Sequence, residues 1–80
     1  MTPPLVELFV REGCHLCDDF LLGLALDHPV TYQRLQTRDV DGDAALAARY
    51  GLRVPVLAVD GRVACEGRYD RDEVAAALRL

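Results

Sequence analysis

Two cysteines, Cys14 and Cys17, stand three positions apart in the segment Gly13-Cys14-His15-Leu16-Cys17. Thiols at this spacing at a helix start can close into a small disulfide ring or share the stabilisation of one thiolate. The unpaired N–H groups of a first helical turn carry partial positive charge, which favours a thiolate over a thiol. Cysteine pKa values in such pairs fall from about 8.5 to as low as about 3.5. Cys14 is therefore the predicted nucleophile, and Cys17, one turn inward, is the predicted resolving thiol.

The cysteines also have other interpretations. Cys14 and Cys17 could be buried structural thiols, or they could ligate zinc or an iron–sulfur cluster. Structural zinc takes four ligands, and the chain has no second cysteine pair, while His28 and Cys65 are distant in sequence. Redox chemistry is therefore the favoured interpretation. Cys65 is expected to be a buried strand thiol, because free cysteine often behaves as a small hydrophobe; a third redox role is the alternative.

The elements that position the pair follow from its flanks. The apolar run Leu5–Val10 predicts a central strand buried on both faces. A helix is predicted from Cys14 to Leu26, and Pro29 ends it by disfavouring helical geometry at the preceding residue. Val30–Leu35 alternates and is rich in β-formers, which predicts a second strand. A strand–helix–strand unit of this kind has parallel strands and a right-handed crossover.

The second half of the chain predicts two further helices and a hairpin. Asp39–Asp43 is a polar turn that supplies an N-cap to a helix over Ala44–Tyr50. Gly51 is the predicted left-handed residue after that helix, with Leu52 as the apolar contact beyond. Pro55 begins a third strand. Asp60-Gly61 is the predicted hairpin turn, and Arg62–Cys65 is the predicted fourth strand. Asp70 and Glu73 form the predicted capping box of the last helix.

The predicted order is β-α-β-α-β-β-α, an α/β fold with a four-stranded mixed sheet flanked by helices, as one domain over residues 1–80. Apolar residues make up 51% and charged residues 28% of the chain, which is typical of a globular domain. No secretory signal or bilayer-length apolar run is visible, so we expect a cytoplasmic location and no membrane partner. The chain is expected to be a monomer. The net charge of −4 argues against nucleic acid.

Four features in order resemble the glutaredoxins of the thioredoxin-fold family. They are a first strand running into the Cys14/Cys17 pair at a helix start, the segment Tyr50–Leu57 with its Val-Pro step, an Asp-Gly hairpin, and the turn Glu66-Gly67-Arg68-Tyr69-Asp70. The resemblance implies a thioredoxin-like fold with a cis Val54–Pro55 bond. It also implies a thiol–disulfide oxidoreductase acting on protein or small-molecule disulfides.

The resemblance further implies a glutathione site and no tightly bound cofactor. Arg11 matches a basic residue that meets a glutathione carboxylate, and the backbone of Val54 matches the group that pairs with the cysteinyl part. Gly67 and Asp70 match the turn that holds the γ-glutamyl end. Glutathione is the expected co-substrate, with a thioredoxin-reductase-type donor as the alternative source of electrons. Some glutaredoxins instead bridge two chains through an iron–sulfur cluster.

Three positions depart from the glutaredoxin pattern. His15-Leu16 stands where Pro-Tyr is common, and His15 is either a solvated helix residue or an imidazole that favours the Cys14 thiolate. Glu66 replaces the first glycine of a pair and brings negative charge towards an anionic ligand. Arg53 replaces a threonine and returns positive charge. We therefore expect glutathione to bind more weakly than in typical glutaredoxins.

Overall fold

The computed structural model describes residues 2–79; Met1 and Leu80, the ends of the expected domain, lie outside the described residues. The elements are β1 (Val6–Val10), α1 (His15–Asp27), α2 (Pro29–Arg34), β2 (Gln36–Asp39), a 3₁₀ turn (Val40–Gly42), α3 (Ala44–Tyr50), β3 (Val56–Val59), β4 (Arg62–Glu66) and α4 (Arg71–Leu78).

The four strands form one mixed sheet in the order β2-β1-β3-β4. The pair β1–β2 is parallel, and β1–β3 and β3–β4 are antiparallel. The predicted architecture, a four-stranded mixed sheet with flanking helices, is therefore confirmed.

Successive strand residues point to opposite sides of the sheet, so each face carries apolar side chains. Both faces are covered by helices. Val6 and Leu8 of β1 pack with the α1 and α4 side chains, whereas Phe9 packs on the other face with α3. The first cluster contains the buried residues Val6, Leu8, Phe20, Leu24, Leu57, Cys65 and Val74. The second contains Phe9, Val40, Tyr50, Val56 and Ala58. The first cluster packs α1, and with it the cysteine pair at its start, against the central strand.

The predicted strand over Val30–Leu35 is wrong: Pro29–Arg34 is α2, and the second strand is Gln36–Asp39. Proline suits the first position of a helix, where its missing N–H is not needed and its fixed φ is already helical. The real strand is located by its pairing with β1, in which Glu7 faces Gln36. All four of its residues are exposed at the sheet edge, so no apolar alternation marks it in the sequence.

The helix over Ala44–Tyr50 and its cap agree with the prediction. Asp43 accepts hydrogen bonds from the N–H groups of Ala45 (2.8 Å) and Leu46 (3.3 Å). The prediction for Gly51 is wrong, since its φ of −55° and ψ of −34° are right-handed. Glycine is needed there for a different reason: a Cβ would overlap the carbonyl oxygen of Ala47.

Leu52 likewise makes no cap contact and is fully exposed. The chain leaves α3 through a tight turn in which the Arg53 N–H donates to the Tyr50 carbonyl (2.8 Å). The predicted Asp60-Gly61 hairpin is confirmed, with φ values of 51° and 81° that suit a two-residue turn.

The sheet topology brings four loops together at one end of the strands. β1 and β2 both end there, β3 begins there, and β4 ends there, because β3 runs antiparallel to both of its neighbours. The loops comprise residues 11–17, 39–43, 51–55 and 66–70, and are together called the redox edge below.

Candidate redox site

The site is centred on the start of α1, where Cys14 is the N-cap residue and Cys17 lies in the first turn. The two form a disulfide with a Cα–Cα distance of 5.2 Å. The Cys14 Sγ also accepts a hydrogen bond from the Cys17 N–H at 3.1 Å. A sulfur thus occupies the place where a capping oxygen usually satisfies a free N–H. The helix end is built to stabilise negative charge on this sulfur once the disulfide is reduced.

The two cysteines differ in accessibility. Cys14 is half-buried, whereas Cys17 is 1% exposed. Cys17 shares the buried face of α1 with Phe20 and Leu24, as the helical spacing predicts. Cys14 is therefore the more accessible of the two sulfurs.

His15 lies on the solvent side of α1. Its side chain is 88% exposed, and its Nε2 lies 3.5 Å from the Asp19 Oδ2, one helical turn on. This exposure corresponds to the solvated alternative for His15.

Val54, Pro55 and Gly67 lie together on the redox edge. The Val54–Pro55 peptide bond is cis. The Gly67 N–H donates to the Pro55 carbonyl at 2.8 Å, and Gly67 has a φ of +80°, which only glycine adopts without strain. Asp70 follows as the N-cap of α4, where it accepts from the Glu73 N–H at 3.0 Å.

The Arg11 side chain is held by hydrogen bonds to other residues of the protein. Its Nε and Nη2 donate to the two carboxylate oxygens of Asp41 at 3.0 and 3.1 Å, and its Nη1 donates to the Gly51 carbonyl at 2.9 Å. The hydrogen bond to Asp41 raises the pKa of Arg11 above its ordinary value. Arg11 also accepts through its carbonyl from the Cys14 N–H at 3.2 Å. The residue therefore ties the loop before Cys14 to the 3₁₀ turn and to the end of α3.

Arg53 is paired with Glu66. The Arg53 Nε lies 2.8 Å from the Glu66 Oε2, and the Arg53 Nη2 donates to the same oxygen. This hydrogen bond raises the pKa of Arg53. The sequence placed these two charges near each other but did not predict that they would pair directly.

Two further residues of the site were not predicted from the sequence. Asp41 was assigned only to a polar turn, and it is the carboxylate that holds Arg11. Tyr50 was assigned only to a helix end and to the start of the segment that resembles the glutaredoxins; its ring stacks on Phe9 (centroids 4.4 Å apart) and carries the Arg53 guanidinium over its face at 5.6 Å. The tyrosine of the Tyr-Gly-x-x-Val-Pro segment was the available signal for the second contact, whereas nothing in the sequence joins Arg11 to a residue 30 positions away.

Cys65 is buried in β4, as expected, at 6% exposure. Burial, followed by the nearby carboxylate of Glu73, raises the pKa of its thiol from 9.0 to about 11. The thiol therefore stays protonated at neutral pH and is a poor nucleophile there.

The raised pKa of Cys65 predicts a loss of stability in alkali. The unfolded thiol ionises near pH 9 and the native thiol near pH 11, so the unfolded state gains stability as pH rises between these values. The contribution is fully present below pH 9 and is lost as pH rises through about 11. We expect the urea midpoint of a Cys14→Ser/Cys17→Ser protein, which cannot exchange disulfides, to fall over this range.

Adding Cys65→Ala should reduce that fall. Tyr69 provides a second alkaline transition, because burial and then its hydrogen bond to Asp27 (2.8 Å) raise its pKa to about 12. A Tyr69→Phe variant separates the two groups. An equal fall with and without Cys65 would contradict the assignment.

Among residues 2–79, no group of three or more His, Cys, Asp or Glu side chains is arranged to hold a metal ion. No helix in this part of the chain is long and apolar enough to cross a bilayer.

The chain is similar to known proteins over almost its whole length. Residues 5–79 match the family described as Glutaredoxin-like domain (DUF836). An uncharacterized protein of Mycobacterium tuberculosis is 38% identical over 68 residues, covering 78% of this chain and 69% of the relative, and one of Mycobacterium bovis is equally similar.

Solved structures agree with this assignment. A structural genomics target from X. campestris has a TM-score of 0.76 at 36% identity, covering 91% of this chain and 93% of that one. A protein from Nitrosomonas europaea has a TM-score of 0.78 at 29% identity, covering 95% and 92%. With its four-stranded mixed sheet, thioredoxin-like fold and Cys14–Cys17 pair, the chain belongs to the glutaredoxin-like family.

Proposed function

We propose that this protein is a thiol–disulfide oxidoreductase in which Cys14 is the nucleophile and Cys17 the resolving thiol. The observation that carries the proposal is the start of α1. There the Cys14 sulfur accepts the Cys17 N–H at 3.1 Å and is accessible, while Cys17 is buried beneath it. Membership of the glutaredoxin-like family supports the same reaction class.

The first step forms a mixed disulfide. The Cys14 thiolate attacks one sulfur of a substrate disulfide, a new S–S bond joins Cys14 to that sulfur, and the other substrate sulfur leaves as a thiolate that takes up a proton. The free N–H groups of the first turn of α1 favour the attacking thiolate before the step and accommodate a sulfur at the same position after it.

The second step releases the substrate. Cys17 loses its proton and attacks the Cys14 sulfur, which forms the Cys14–Cys17 disulfide and expels the second substrate sulfur as a thiolate that is then protonated. The substrate has gained two electrons and two protons; the protein supplies both electrons and the proton of Cys17, and solvent returns the proton that Cys14 had released on becoming a thiolate. The disulfide form of the site is the product of this half-reaction.

A thiol donor must then return the pair to the dithiol. We propose glutathione for this role, two molecules being oxidised to one glutathione disulfide, with a thioredoxin-reductase-type donor as the alternative. Arg11, Arg53, Val54, Pro55, Gly67 and Asp70 are the proposed substrate-binding residues; Arg11 and Arg53 would have to leave Asp41 and Glu66 to meet an anionic ligand. The cytoplasm, whose thiol pools are reduced, is the compartment in which this cycle would run.

The test of the nucleophile is the order of alkylation. We expect iodoacetamide to modify Cys14 of the reduced protein first near pH 7, because it is accessible and lies at the helix end. Cys65 should react last, since a thiol with a pKa of about 11 is ionised in only roughly one molecule in ten thousand at pH 7. Peptide mass spectrometry over time gives the order, and Cys17 modified before Cys14 would overturn the assignment.

A further inference from the structure

The Arg53–Glu66 ion pair lies directly beside the cis peptide of the redox edge. Arg53 immediately precedes Val54-Pro55, and Glu66 immediately precedes Gly67, whose N–H donates to the Pro55 carbonyl at 2.8 Å. The pair therefore joins the two segments that border this peptide. Its two side chains are 42% and 44% exposed, so both are open to solvent at the redox edge.

The guanidinium of Arg53 is held from two sides. Its Nε and Nη2 both donate to the Glu66 Oε2, and its Cζ lies 5.6 Å from the centroid of the Tyr50 ring. That ring is 5% exposed and stacked on Phe9, so it is a rigid support. An arginine held between an aromatic face and a carboxylate has little freedom to turn towards an incoming anion.

Arg11, which the resemblance matches to a basic residue that meets a glutathione carboxylate, is also held by partners within the protein. Asp41 takes two of its donors and the Gly51 carbonyl takes a third. Of the three arginines on the redox edge, only Arg68 lies outside the ion pairs within residues 2–79. The acidic residues of the edge outnumber them; they are Glu12, Asp39, Asp41, Asp43, Glu66 and Asp70.

We propose that the Arg53–Glu66 ion pair makes the redox site select against anionic disulfides, so that its disulfide substrate carries no net negative charge and glutathione, itself anionic, binds only weakly as the donor that returns the pair to the dithiol. The inference rests on the proposed exchange at Cys14. An unpaired Arg53 would attract an anion that approaches the Val54-Pro55 segment. In this protein the Glu66 carboxylate neutralises that charge and presents a negative charge of its own to the anion. A neutral or cationic disulfide is not repelled in this way.

The experiment compares three small disulfides of different charge. They are 2-hydroxyethyl disulfide (neutral), cystamine (dicationic) and 3,3′-dithiodipropionate (dianionic). We expect kcat/KM of the wild-type protein to be lowest for the dianion. Glu66→Gln should raise the ratio of dianion to neutral kcat/KM by roughly fivefold, because it removes one charge and frees Arg53. The discrimination should shrink with added salt, which screens exposed charges.

Asp60→Asn is the matched control. It also removes one negative charge, but at the opposite end of the β3–β4 hairpin, where a φ of 51° suits asparagine. The ratio should not change in this variant. Turnover of all three disulfides at similar kcat/KM, or an equal gain for all three with Glu66→Gln, would overturn the selectivity alone. Absence of turnover with every disulfide would overturn the proposed function, and this inference with it.

Discussion

Replacing Cys14 with serine is expected to abolish disulfide reduction, lowering turnover by roughly three orders of magnitude or more. The serine hydroxyl can accept the same N–H at the start of α1, so the fold and the cap should persist. What is lost is the ionisable sulfur: a hydroxyl is not deprotonated near neutral pH and cannot form a disulfide with the substrate. Steady-state reduction of 2-hydroxyethyl disulfide with a coupled donor measures the loss.

Two variants make the result specific. Cys17→Ser keeps the nucleophile but removes the resolving thiol, so it should accumulate a mixed disulfide at Cys14 that intact-protein mass spectrometry detects, or retain partial activity when glutathione releases the substrate. Cys65→Ala should retain turnover, since this thiol is buried in the core cluster with Phe20 and Val74 and is not accessible to a substrate. If Cys14→Ser kept wild-type turnover while Cys65→Ala lost it, the site would be assigned to the wrong cysteine.

The sequence alone was sufficient to predict elements whose structure depends on neighbouring residues. The cap at Asp43, the helix over Ala44–Tyr50 and the Asp60-Gly61 hairpin each depend on residues within a few positions of one another, and all are confirmed. The same holds for the placement of Cys14 at the start of α1. These features follow from hydrogen-bonding and φ preferences that short segments already possess.

The failures lie where distant partners decide the outcome. Val30–Leu35 has the β-branched residues of a strand, but Pro29 starts a helix there, and pairing with β1 selects the polar segment Gln36–Asp39 instead. At Gly51 the glycine was ascribed to a left-handed cap, whereas close approach of Ala47 is the reason. Neither sheet pairing nor backbone approach is encoded in a local pattern.

The candidate site shows the same division. Spacing identified the cysteine pair, and the resemblance identified the segments around Pro55 and Gly67. The partners of the two arginines could not be derived, because Arg11 and Asp41 are separated by 30 positions and Arg53 and Glu66 by 13. These pairings change the electrostatics of the redox edge, since both guanidinium groups are matched by carboxylates of the same chain.

Phe20→Ala is expected to be the most destabilising substitution considered, at about 3–5 kcal/mol in the free energy of unfolding. Phe20 is fully buried, and it is on the face of α1 that anchors the cysteine pair to the sheet. Its ring meets Tyr69 edge-on with centroids 5.1 Å apart, so truncation removes an aromatic contact and leaves a cavity. Domains of this kind have only about 5–15 kcal/mol of stability in total, so a large part would be lost.

The measurement is urea unfolding of wild type and variant at pH 7, with the Cys14–Cys17 disulfide intact and circular dichroism as the probe. Leu22→Ala is the matched control, because Leu22 lies two residues along the same helix but is 60% exposed. Truncation there removes little buried surface and should shift the midpoint only slightly. Equal losses in the two variants would mean that α1 is not docked through its Cys17–Phe20–Leu24 face, and the positioning of the redox pair by that face would then be wrong.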